Sequence, residues 1–158
     1  MQRVSISPEI ATAYHEAGHA VVALIFDRPV HKISILPNRD HLGWCKFQKG
    51  VLRPSDDWVE REVLIALAGM AAEGRVTGRY CLHGAARDLR YARRLLSERA
   101  GSERRAERLE RRLLAKVESL LADENYWMAV ERIAQELLLL RIISGRAARH
   151  LFEQATAR

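Results

Sequence analysis

The sequence predicts an α+β domain, mainly helical, with one small β element and a central helix near the N-terminus. Three observations carry that reading. Apolar residues recur at helical spacing from Glu9 to about Phe26. Val30–Leu36 alternates apolar and polar residues and is rich in β-branched side chains. From Ala85 nearly to the end, alanine, leucine, arginine and glutamate dominate, a helix-forming composition. The 158 residues, 48% of them hydrophobic, suffice for a packed core.

Each element has its own signal. Ser7-Pro8-Glu9 starts the first helix with a hydroxyl cap, a first-turn proline and an acid favoured by the dipole. Ala17, Val21, Leu24 and Ile25 share one face, and Asp27-Arg28-Pro29 stops the helix. After the strand Val30–Leu36, Pro37-Asn38-Arg39-Asp40 reads as a turn. Leu42–Phe47 reads as a second strand, with Gly43 marking a bulge or a close backbone approach. Pro54-Ser55-Asp56-Asp57 opens a second long helix to about Glu73, and a glycine-bearing connection spans Gly74 to Gly84. Helix follows from Ala85, with breaks expected at Gly101-Ser102, Asp123-Glu124-Asn125 and Ser144-Gly145. The stripes Leu113–Leu121 and Tyr126–Leu138 are expected to pack antiparallel on each other. Leu139 and Leu140 then remain for contact with the core or another subunit. One domain over 1–158 is expected, with a metal-binding core at 1–100 and a helical part at 101–158.

Composition limits the function classes. The net charge of +6 comes almost entirely from arginines, crowded between Arg87 and Arg112 but diluted by Glu98, Glu103, Glu107 and Glu110. A solvated helical face is the expected meaning, so nucleic acid is an unfavoured partner. Cys45 and Cys81 form no CxxC pair and no disulfide scaffold, which suits a reducing cytoplasm. Met1–Ser5 lacks a signal-peptide core, and the runs Ala20–Phe26 and Leu137–Leu140 are too short to cross a bilayer. Neither export nor membrane insertion is expected.

Tyr14-His15-Glu16-Ala17-Gly18-His19-Ala20 contains HExxH within the first helix. Histidines four residues apart lie on one helical face, so both imidazoles reach a single ion. Glu16 can then reach a water on that ion as a general base. A catalytic zinc takes three protein ligands and keeps one open position. The pattern HExxHxxGxxH fails, because Val22 and Ile25 stand where glycine and a third histidine would be. The third ligand must come from later in the chain. Asp56, Asp57, Glu62, Glu73, Cys81, His83 and Asp88 are candidates that spacing does not rank. Asp88 has only the N-terminal helix dipole in its favour. Glu73 reads as a carboxylate that orients a metal histidine. His31, His41 and His150 read as structural, and His83 as facing solvent.

Residues Ala13–Val22 are similar to the metal helix of the FtsH-type AAA+ zinc proteases. Val30–Pro37 with Leu42-Gly43 resembles that family's hairpin, and Ala68–Glu73 its GGRxAEE segment. Gly84-Ala85-Ala86-Arg87-Asp88-Leu89 resembles its GAxxD segment, whose aspartate is the third zinc ligand. The resemblance runs from about Ile10 to Gly145, densely as far as Arg93. Met70 and Gly74 depart from the family's arginine and second glutamate, and Leu82-His83 stands where threonines are usual. It implies one catalytic Zn2+ held by His15, His19 and Asp88, with Glu16 as catalytic base in a metalloendopeptidase of unfolded or flexible polypeptides. No GxxxxGKS/T phosphate loop occurs in the sequence. The expectation is a peptidase unit without its own ATPase or membrane anchor, acting on a polypeptide substrate, fed by a separate ATPase chain or none. A homo-oligomer, with six-membered rings implied by the family, is as open as a monomer. The alternatives are a catalytically silent metal-stabilised module and an arginine-rich nucleic-acid binder. An exposed edge strand, Lys32–Leu36 or Leu42–Lys46, is expected either to pair with an extended peptide or merely to cap the helices.

Overall fold

The computed structural model describes residues 6–48 and 57–157. In order they form α1 (Pro8–Ile25), β1 (Val30–Ser34), β2 (Trp44–Phe47), α2 (Trp58–Thr77), α3 (Ala86–Ala100), α4 (Glu103–Ala122), α5 (Glu124–Leu140), β3 (Ile142–Ser144) and α6 (Gly145–Thr156). This is the mainly helical α+β fold the sequence predicts. Met1–Ser5 and the Pro54-Ser55-Asp56 start of the second helix lie outside the described residues.

The helix boundaries follow capping chemistry. Ser7 Oγ accepts the Ile10 amide at 3.2 Å, and Pro8 occupies the first turn. Asp57 caps α2 by accepting the Glu60 amide at 3.1 Å. Gly78 and Gly101 end α2 and α3 at φ +86° and +75°, in the left-handed region where a side chain is strained. Asp123 ends α4 and caps α5, accepting from the Asn125 and Tyr126 amides.

The turn between β1 and β2 is an Asx arrangement, in which Asn38 Oδ1 accepts the amides of Asp40 and His41 at 2.9 and 2.7 Å. Gly43 is a close approach, since an added Cβ would lie 2.8 Å from Thr12 Cγ2 and 2.9 Å from the Ser34 carbonyl. The register irregularity sits elsewhere, between Val30 and Lys32.

The hairpin has a third partner that the sequence reading missed. β3 pairs antiparallel with β1, Ile33 opposite Ile143, so the sheet order is β2-β1-β3. β1 is therefore central and paired on both sides over Lys32–Ser34, which removes that stretch as an edge; β2 is one edge. Three residues between two helices were too few to show a period of two.

α1 is the centre of the core. It is buried from Ala13 to Leu24 apart from half-buried Tyr14, and it packs on α2, α5, β1 and α6. That corrects the expected pairing of the C-terminal helices. α4 packs mainly on α2 and α3, while α5 packs on α1 and α6. A helix apolar around most of its girth must be covered from several sides. Val130, Ile133, Ala134 and Leu137 of α5 do so, each fully buried. Leu139 and Leu140 do not reach the core and are 77% and 59% exposed.

Gly145 opens α6 against β1 so closely that an added Cβ would collide with the Val30 carbonyl. Gly145→Ala is expected to cost about 3 kcal/mol, because backbone must move on both sides. The melting temperature should fall by roughly 6–12 °C; an unchanged value would mean that α6 and β1 do not meet there.

Candidate metal centre

α1 presents His15 and His19 one turn apart toward α2, and α3 brings Asp88 over them. His15 Nε2 lies 3.0 Å and His19 Nε2 3.1 Å from the same oxygen, Asp88 Oδ2. These three residues form a cluster able to hold a metal ion, with ligand atoms within 4.8 Å of one another. Both histidines are 7% exposed.

The far side of each ring fixes its proton. His19 Nδ1 lies 2.7 Å from the Ile65 carbonyl oxygen, which can only accept, so Nδ1 carries the hydrogen. His15 Nδ1 donates to Glu73 Oε2 at 2.9 Å. In the neutral rings, both Nε2 atoms then carry lone pairs aimed at a carboxylate oxygen that also only accepts. Three acceptors converging in a buried place repel unless a cation or proton lies among them. Two imidazoles and one carboxylate form the borderline donor set zinc takes, and zinc ligands in a tetrahedron stand about 3.3 Å apart. The residues present fit a zinc ion.

The pKa shifts carry the same message. Burial works against a charged His15, yet its hydrogen bonds to Asp88 and Glu73 outweigh burial and raise it from 6.5 to about 10. His19 is raised as well, burial being overcome by the Asp88 charge and hydrogen bond. Asp88 would be raised by burial, but the two histidines hold it well below the carboxylate range. Glu16, 6% exposed, is raised by burial, with the histidines pulling the other way. It faces the same cleft, a space of about 780 Å³ walled by β2 and α3 over α1 and α2.

The remaining candidates scatter. Asp56 lies outside the described residues, and Asp57 caps α2 and pairs with Arg99. Glu62 is bound to Arg28 at 3.0 Å. Cys81 and His83 are exposed on the cleft rim, Cys81 Sγ accepting from the Gly84 amide. His31 and His150 are exposed. His41, read as structural, is a cleft residue in contact with Arg87.

Sequence reasoning missed two participants. The Ile65 carbonyl has no side-chain signal at all. Gly69 had one, since mid-helix glycine costs about 1 kcal/mol relative to alanine and needs a reason. The reason is room: an added Cβ would lie 2.6 Å from His15 Nε2 and closer still to His19 Nε2.

A helix offering HExxH, answered by a carboxylate from a second helix inside a peptide-sized cleft, is the arrangement of metal-dependent peptidases. The comparisons name the family: the chain belongs to peptidase family M41, whose model matches residues 4–101. The resemblance to FtsH-type peptidase domains is borne out. ATP-dependent zinc metalloprotease FtsH 4 of Sorangium cellulosum is 34% identical over 104 residues, 60% of this chain and 16% of that protein. FtsH 1 of Thermomicrobium roseum is 35% identical over 121 residues, 65% of this chain and 17% of that protein. FtsH of Cupriavidus metallidurans is 42% identical over 67 residues, 40% of this chain and 10% of that protein. The matched stretch thus spans a small part of these relatives' length. No helix among the described residues is long and apolar enough to cross a membrane.

Two outcomes are expected. Gly69→Ala should keep the fold, since alanine favours helix, yet weaken zinc binding about 10–100-fold, the size of effect seen when the supports of metal ligands are disturbed; unchanged zinc affinity by titration against a competing chelator would contradict this. In metal-free protein, His15 has a folded pKa above its unfolded 6.5, so the stability from its protonation is complete below about 6.5 and is lost as pH rises to about 10. Melting temperature should therefore fall between pH 7 and 10 without metal and change less when zinc is saturating; a flat metal-free profile would refute the assignment.

Proposed function

We propose that this chain is a zinc-dependent endopeptidase acting on unfolded or flexible polypeptides, with His15, His19 and Asp88 as ligands and Glu16 as catalytic base. The observation that carries the reading is the meeting of both Nε2 atoms on one Asp88 oxygen, with Glu16 buried beside them. A bound zinc ion would lower the pKa of water and polarise a carbonyl.

The chain's residues supply the rest. Glu16 accepts a proton from the attacking water and returns one to the leaving amine. Its pKa is raised by burial in the direction of the working pH, which suits a group that must first take up a proton and then release one. Glu73 and the Ile65 carbonyl orient the two imidazoles and raise their basicity. Substrate lies extended along β2, whose free edge borders the cleft, and pairs with its backbone. Pairing of that kind needs an unfolded segment, which supports the substrate class. The free thiols Cys45 and Cys81 agree with a cytoplasmic setting. Delivery of substrate by an ATPase belongs to the same proposal through the relatives whose names call them ATP-dependent, and assembly into an oligomer through the family resemblance alone.

Unfolded casein tests the reading, with zinc content measured alongside. Glu16→Gln should keep its zinc and lose activity about 10²–10⁴-fold. Asp88→Asn should lose zinc at a chelator concentration the wild type withstands. Equal turnover by wild type and Glu16→Gln would remove the mechanism; zinc bound with no turnover in either would favour a metal-stabilised interaction module.

A further inference from the structure

α3 does more than deliver Asp88. Arg87 and Arg90 flank that residue on the same helix, and both line the cleft. Arg87 Nη1 reaches the His41 ring, at the end of the cleft formed by the loop before β2. Next along α3, Tyr91 lines the cleft with Glu62 and Arg28, and Arg94 stacks 5.5 Å over its ring. Arg28, Arg87 and Arg90 thus line the same groove as the candidate metal centre.

Carboxylates line the cleft too: Glu16 is buried, Asp40 is exposed next to His41, and the others are already engaged. Glu62 is held by Arg28 and Arg61, and Glu73 and Asp88 by the histidines. The ion pairs elsewhere on this hairpin, Arg93–Glu110 and Arg99–Asp57, leave Arg90 and Arg94 without ion pairs among the described residues. Most of the net charge of +6 lies on α3 and α4, and α3 brings its share to the cleft through Arg87 and Arg90.

We infer that the enzyme selects acidic polypeptide segments, Arg87 and Arg90 receiving aspartate or glutamate side chains near the bond to be cut. This rests on the peptidase reading and names its substrate class. An exposed ion pair is worth roughly two- to fivefold, so two together give about tenfold. Extended peptide on β2 projects alternate side chains across the cleft toward α3. The preference should weaken with salt.

Matched fluorogenic peptides, differing only in Asp, Ala or Lys on each side of one cleavable bond, test this in two readouts. The first is kcat/KM for the zinc-loaded wild type. The second is binding of the same peptides, by fluorescence anisotropy, to zinc-loaded Glu16→Gln protein. Asp peptides should exceed Ala peptides about tenfold and Lys peptides by more. Arg87→Glu with Arg90→Glu should abolish or invert the ratio, while Arg104→Glu, on α4 and outside the cleft, should leave it alone. An Asp-to-Ala ratio near one in both readouts, or a ratio unmoved by the double variant, would overturn the inference. No turnover with acidic preference intact in binding would instead sink the peptidase reading alone. Tighter binding of a single-stranded oligonucleotide than of the Asp peptide at ~0.15 M salt would overturn it in favour of nucleic acid.

Discussion

Everything at the centre depends on how closely α1 and α2 approach. At Gly18 an added Cβ would lie 2.6 Å from both the Ala68 carbonyl and Ala72 Cβ, so the helices touch backbone to backbone there. One residue along α2, Gly69 leaves space under the two imidazoles. The same approach puts the Ile65 carbonyl and Glu73, two turns apart on α2, behind His19 and His15. Small residues along one seam therefore do chemical as well as packing work. They set ring orientation, ring orientation sets the tautomer, and the tautomer leaves both Nε2 lone pairs facing the cleft.

That arrangement is electrostatically demanding. Glu16, Glu73 and Asp88 cluster around two buried rings, and isolated buried carboxylates are costly. Protonated histidines offset some of this, which is why His15 and His19 are raised and Asp88 lowered. A divalent cation supplies the same compensation with more charge in less space. Proton and metal therefore compete for one place, so metal affinity and pH are linked through the ligands themselves.

Legibility in the sequence followed the range of the interaction. The metal helix, its Ser7 cap, the Asn38 turn and the glycine stop at 101 are local events, set by residues within a few positions of each other, whereas α2 runs past its expected end near Glu73 to Thr77. HExxH was legible for the same reason, since one helical turn fixes both histidines. The partner of that pair was not: Asp88 stood among seven candidates until the family resemblance singled it out, because a contact between residues 19 and 88 leaves no periodic trace. β3 was hidden by its length, and the covering of α1 by α5 by the number of faces α1 must bury. His41 looked idle because only the folded hairpin carries it to Arg87.

The last step concerns why one short helix carries both a metal ligand and cleft arginines. α3 starts at Ala86 without a side-chain cap, and Gly84 and Ala86 line the cleft, so the positive end of its dipole borders the cleft and favours ionised Asp88 in the first turn. Residues three apart on a helix are neighbours, so Arg87 and Arg90 stand together on one side of Asp88, where both line the cleft. A carboxylate required for metal would by itself make the groove repel acidic chains. In the proposed reading, the neighbouring guanidiniums of Arg87 and Arg90 offset that repulsion along the α3 wall. Opposite, β2 contributes backbone groups that do not discriminate among side chains. On that proposal, affinity for an extended chain would reside in the strand wall, and choice among chains in the helix wall.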